Sequence, residues 1–191
     1  MKSIKTEAVK ENVGAGNSTY LSSLEVGETF KLSQFEFVVL EHKEDTTAAT
    51  LKGLLHESER FGPNNNYNGS DVDKLCNDFG NEIESIVGCD NLIEHTVDLT
   101  SDDGLKDYKS VNRKMSLMTA NDYRRYVEIL DKHKVNAWWW TATAYSTPTH
   151  GFEYSVKCVS PSGSIYDDYG SYFNSGVRPF CILKSNIFVS K

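Results

Sequence analysis

The chain has 191 residues, 39% of them hydrophobic and 12% aromatic, which suffices for one substantial core and is short for two. Twenty-seven acidic residues against 20 basic ones give a net charge of -7, so the average surface repels phosphate. That excludes a sequence-independent grip on nucleic acid or on an anionic membrane and favours a protein partner with a basic or mixed surface.

The opening "MKSIKTEAVKENVGAGNSTYL" has no apolar run after its lysines, and no later stretch is long enough to cross a bilayer, so a soluble, unexported chain is expected. Residues 1–26 mix small, polar and charged types and read as a flexible leader; a single domain is expected over 27–191. From Gly27, "GETFKLSQFEFVVLEHKEDTTAATL" alternates apolar and polar residues and predicts three short antiparallel strands, with turns at Ser33-Gln34 and over 43–45. "RFGPNNNYNGS" is rich in turn formers and predicts a surface loop.

Ser70, with Asp73 three residues on, predicts a helix start. Val72, Leu75, Cys76, Phe79, Ile83, Ile86 and Val87 then recur at three- and four-residue spacing up to Gly88, one apolar stripe on a helix. "NLIEHTVDLT" alternates through Ile93, Val97 and Leu99 as one edge strand, "SDDGLKDY" reads as a turn, and "SLMT" as a short buried strand. Thr119 and Asp122 form a second capping pattern ahead of a helix with Tyr123, Val127 and Leu130 facing inward and an end near His133. From Trp138 onward the chain is β-like and turn-rich, with a hairpin at "VSPSGSIY" whose Gly163 meets the need for a positive φ. Strands interrupted by two amphipathic helices, without βαβ alternation, define an α+β fold of short antiparallel strands.

Signatures of catalysis are missing. There is no phosphate-binding glycine loop or nucleophile elbow, and the five histidines never pair at metal-ligand spacing, so no metal and no cofactor is expected. The acidic pairs in "SDDG" and "YDDYG" fall short of the oxygens calcium requires and read as solvated turns. Cys76, Cys89, Cys158 and Cys181 lack a CxxC pair and read as buried reduced thiols. The three tryptophans are consecutive. In an extended segment Trp138 and Trp140 share one face while Trp139 points to the other, and burying one ring is worth about 4 to 6 kcal/mol at most, so at least two belong in a core. Trp138 and Trp140 are assigned that structural role.

Taken together, "WWWTATAY", the "CVSPSGSIY" hairpin, a Tyr/Asp/Ser/Gly-rich segment and "GVRPFCIL" resemble a domain-of-unknown-function family of gut Gram-positive bacteria and their phages. "GETFKLSQFEFVVLEH" resembles that family's opening hairpin, so the likeness spans about residues 27–184. The family in turn resembles the C-type-lectin-like fold of formylglycine-generating enzymes and of diversified phage tip proteins. The resemblance implies a structural role for Arg178, whose fork of donors suits a buried carboxylate or carbonyl cluster. It also implies a location in a host cytoplasm or on a phage particle. In place of the family's Arg-Ser after the tryptophans stands "TATAYS".

The segment 164–175, "SIYDDYGSYFNS", resembles the variable surface of diversified lectin-like proteins, with residue types that adaptable binding loops use. Tyr166, Asp167, Asp168, Tyr169, Ser171, Tyr172, Phe173 and Asn174 are the candidate partner-binding residues, presented as a loop. The expected function is a non-catalytic protein-binding module of phage or mobile-element origin. The alternative is an intracellular phage inhibitor of a host defence nuclease, of anti-CRISPR type, its acidity occupying a nucleic-acid channel. A third reading is an enzyme of the formylglycine-generating or cysteine-dependent kind, centred on Cys158 or Cys181 and including a Cys158–His150 pair.

Overall fold

A computed structural model describes residues 18–170 and 172–191. In chain order, β1 (Ser18–Tyr20) precedes the run β2 (Thr29–Leu32), β3 (Phe35–Lys43) and β4 (Thr46–Leu51), after which β5 (His56–Arg60) leads into helix α1 (Asp71–Val87). Four short strands follow, β6 (Leu92–Ile93), β7 (His95–Asp98), β8 (Ser110–Arg113) and β9 (Met115–Leu117), then helix α2 (Ala120–Leu130). The last third is β10 (Trp139–Ala144), β11 (Ser155–Val159), β12 (Ile165–Tyr169), β13 (Phe173–Val177), β14 (Pro179–Lys184) and β15 (Phe188–Ser190). The fold is α+β, and nearly all strand pairs are antiparallel.

Eight strands form one sheet in the order β1-β15-β2-β3-β4-β14-β6, with β9 also on β14. Five form a second, β12-β11-β10-β13-β5, in which β10 and β13 run parallel. β7 and β8 make a separate hairpin. Strands β3 and β10 each serve two core clusters, one on either face: Phe37, Val39 and Trp140 in the first, Val38, Leu40 and Trp139 in the second. This is why β3 carries four buried apolar residues in succession, where strict alternation would leave every second one in water.

The helices end where their caps dictate. Ser70 Oγ accepts the Asp73 amide at 3.1 Å, and Thr119 and Asp122 exchange bonds in a full capping box, Thr119 N–H to Asp122 Oδ2 at 2.9 Å and Asp122 N–H to Thr119 Oγ1 at 3.0 Å. On α1, Gly80 lets the helix approach β9 closely: a Cβ there would lie 2.9 Å from the Met115 Cβ. Gly163 has φ 91°, as the hairpin requires.

Several sequence expectations are corrected. The folded chain starts earlier than Gly27: Ser18–Tyr20 pairs with β15, and Leu21 and Leu24, three apart across a 3-10 turn, are buried. The rest of the expected leader, residues 1–17, lies outside the described residues. Residues 92–98 form two strands belonging to different sheets. Of the helix stripes, Ile86 is exposed and Tyr126 is buried. Cys89 is exposed, while Cys76, Cys158 and Cys181 are buried, and all four are free thiols.

The tryptophans change places. Trp139 and Trp140 are buried, whereas Trp138, 39% exposed, stands on the surface, so the structural role assigned to Trp138 belongs to Trp139. Because both faces of β10 are covered, both of its strand residues are enclosed, and the ring before the strand is the one left out.

Candidate functional site

The segment 164–175 is not the loop expected from its composition. Ile165–Tyr169 is the edge strand β12, paired along its whole length with β11, and 173–177 is β13, paired with β5 and β10. Tyr and Asp disfavour burial on both faces, yet at an edge only one side of the backbone must find partners, so the strand forms. Ser171 and the side chain of Phe173 lie outside the described residues.

Along β12 the register sets Tyr166 opposite Cys158, Asp167 opposite Lys157, Asp168 opposite Val156 and Tyr169 opposite Ser155. The bonds Gly170 N–H to Tyr154 O (2.8 Å) and Ser160 N–H to Ser164 O (2.9 Å) fix the phase of this ladder. Main-chain groups of Tyr166 and Asp168 therefore turn inward to β11, and those of Ile165, Asp167 and Tyr169 turn outward. At Tyr169 the Asp168 carboxylate accepts the N–H at 2.7 Å and the Tyr172 N–H donates to the carbonyl at 3.0 Å. The outward groups of Ile165 and Asp167 are what the edge leaves open among the described residues.

Exposed rings gather about this edge in pairs. Trp138 meets Tyr166 edge to face with centroids 5.3 Å apart, Tyr169 meets Tyr172 at 5.5 Å, and Tyr145 meets Phe152 at 5.9 Å. With Tyr154, seven rings each keep between 39% and 56% of their surface in solvent. Carboxylates lie among them. Lys157, only 8% exposed, sets its ammonium 3.3 Å from Asp102, 3.7 Å from Asp167 and 5.5 Å from the centre of the Tyr145 ring. Asp168 holds Asn174 Nδ2 at 2.5 Å. Of the candidate residues, the structure thus gathers about this edge Tyr166 and Asp168, with Asn174, on one face of the strand and Asp167 and Tyr169, with Tyr172, on the other.

The strip rests on rigid supports. Trp140 donates from Nε1 to the Glu59 carbonyl at 2.8 Å and packs on Phe61 at 5.9 Å; Thr141 donates to the Lys157 carbonyl at 2.8 Å. Asn65 was not legible as functional within its turn-rich run. It is fully buried, and its Nδ2 donates to the carbonyls of Ser146 (2.9 Å), Phe152 (3.1 Å) and Ser155 (3.0 Å), while its Oδ1 accepts from Tyr108 at 2.6 Å. One side chain so fixes the segment that carries Tyr145, Phe152 and Tyr154. Asp103 adds a second staple, accepting from Ser101, Ser146 (2.6 Å) and His150 (2.9 Å), and these bonds hold its carboxyl well below the usual range.

Arg178 lies apart from the strip. It is 1% exposed and meets main-chain carbonyls rather than a carboxylate, those of Leu51, Lys52 and His133. Burial pushes the thiols of Cys158 and Cys181 up to about 12, so both are protonated at neutral pH, the opposite of what a thiolate nucleophile needs. His150 is turned to Asp103. Among the described residues no group of three or more His, Cys, Asp or Glu is placed to hold a metal ion, and no helix is long and apolar enough to cross a membrane. No family model matches the chain, nor does any curated protein or solved structure.

Proposed function

We propose that the chain is a non-catalytic protein-binding module whose contact surface is the aromatic and acidic strip along β12 and the turns beside it. The observation that carries this reading is the set of seven exposed rings held on strands and pinned loops. Isolated exposed apolar residues are ordinary on any surface; rings clustered in contacting pairs, with carboxylates between them, match the composition of protein-contact surfaces. Within this proposal the scaffold is of the C-type-lectin-like kind.

Charge selects the partner. β12 carries Asp167 and Asp168, and β5, the other edge of the same sheet, carries Glu57 and Glu59. Pairing of two β12 edges would set carboxylates against carboxylates, whereas a basic or mixed surface meets them favourably. The same acidity supports a second reading, an inhibitor that fills the basic channel of a nuclease.

Affinity capture with the native chain and with Tyr166→Ala/Tyr169→Ala tests the proposal. A protein retained by the native chain and lost with the variant at unchanged melting temperature supports it; equal capture by both refutes the strip as the contact surface. A nuclease as the captured protein, with its cleavage blocked by the native chain alone, would select the second reading.

A further inference from the structure

Arg178 poses an electrostatic question. No carboxylate meets its guanidinium among the described residues: Nε donates to the Leu51 carbonyl at 3.0 Å, Nη2 to those of Lys52 at 3.2 Å and His133 at 3.1 Å, and the Trp139 ring lies 5.5 Å from the guanidinium carbon. Burial draws its pKa down to about 10, so it stays a cation at neutral pH, solvated by peptide dipoles.

A trans peptide points its carbonyl and the following N–H in opposite directions. The Lys52 carbonyl turned toward Arg178 therefore turns the Gly53 N–H away, and the His133 carbonyl does the same to the Lys134 N–H. The Gly53 amide has no acceptor among the described residues, whereas the Lys134 N–H closes the 3-10 turn Asp131–His133. Both residues line an open cleft of about 560 Å³ together with Lys52, Leu54 and Lys132. Arg178 is not in its wall, so these peptides stand between the guanidinium and the cleft.

The cleft collects three lysines, with the single carboxylate of Glu36 in its wall, on a chain whose net charge is -7. Lys52 lies 3.0 Å from Glu36 and Lys134 3.4 Å from Asp131, while Lys132 makes no ion pair among the described residues. One free main-chain donor, three ammonium groups and the buried guanidinium behind them form a concavity suited to an anion with several acceptor oxygens. Half-buried Phe35 and Leu54 give it an apolar wall. We propose that this cleft is a binding site for a phosphomonoester, the phosphate held by the Gly53 amide and the lysines, and the organic part lying against Phe35 and Leu54.

The test is a titration of the full chain, followed by the amide resonance of Gly53, with inorganic phosphate and with adenosine 5′-monophosphate. Potassium chloride at matched ionic strength serves as control. Saturable shifts of this amide with both phosphates are expected, weakened about tenfold in Lys132→Gln/Lys134→Gln and unaltered in Lys43→Gln, whose residue lies outside the cleft. The site is refuted by a stationary amide up to about 10 mM ligand, by equal shifts with chloride, or by undiminished binding in the double variant. Binding of inorganic phosphate without the nucleotide would overturn the ester assignment. None of these readouts involves the aromatic strip.

Discussion

Strand β3 carries Phe37, Val38, Val39 and Leu40 in succession, all buried, whereas β12 carries Tyr166, Asp167, Asp168 and Tyr169, with both tyrosines more than half exposed. β3 has a neighbour on each side and a core cluster against each face, so Phe37, Val38, Val39 and Leu40 are all enclosed. β12 has a neighbour on one side only. Its backbone is as regular as that of β3, yet its side chains are those of a contact surface. Regular structure and burial are thus separable in this chain, and the Tyr/Asp segment is presented on strand geometry that loses little entropy when a partner arrives.

The largest expected effect lies at the boundary between these regions. Trp140 is fully buried, packed on Phe61 and bonded to the Glu59 carbonyl; Trp140→Ala should lower stability by about 3 to 5 kcal/mol in denaturant unfolding. Trp138→Ala, on the exposed side, should stay within about 0.5 kcal/mol of the native chain. Equal losses at the two positions would break the distinction between core ring and surface ring.

Asn65 joins the regions. Asn65→Ala leaves three carbonyls and the Tyr108 hydroxyl without that partner, so a loss of about 2 kcal/mol is expected, with altered amide shifts at Phe152 and Ser155. Shifts confined to residues 64–68 would show that the side chain does not order the strip.

A smaller change in stability, but the sharpest contrast, is expected on β12 and just beyond it. Tyr169→Ala and Tyr172→Ala should each leave the unfolding midpoint within the range of surface substitutions, while weakening capture of a protein partner by about 1 to 3 kcal/mol. A large stability loss would mean that these rings belong to the fold.

How much of this was legible follows from what each signal encodes. Alternation over residues 27–51 gave β2, β3 and β4, and the caps at Ser70 and Thr119 gave both helix starts, because these patterns act locally. The strand nature of 165–169 was hidden, since Tyr, Asp and Gly are also the residues of turns and only the partner strand β11 decides between them. Trp138 and Trp139 exchanged roles for a similar reason: period two tells which rings share a face, not whether both faces are covered. Asn65 and the peptides before Gly53 and Lys134 left no trace in sequence, because their partners lie far along the chain or are main-chain groups.

The subtlest expected effect is on pH dependence. His95 bonds Ser116 Oγ through Nε2 at 2.9 Å and sits edge-on to Phe180 at 5.2 Å, with Nδ1 buried and without a partner among the described residues. Burial lowers its pKa, against the opposing pull of the Ile93 main chain, Asp122 and Glu94. The folded ring therefore protonates at lower pH than the unfolded one, whose pKa is about 6.5. Its contribution is complete above that value. As pH falls below it, the unfolded state takes up the proton first and stability declines until the folded pKa is passed. Unfolding free energies of the native chain and of His95→Gln, measured between about pH 7.5 and 5, should diverge in slope, the native chain losing more on acidification. Parallel curves would show that the ring titrates alike in both states, and that the polar atoms beneath α2 stay as open to water as those of the strip.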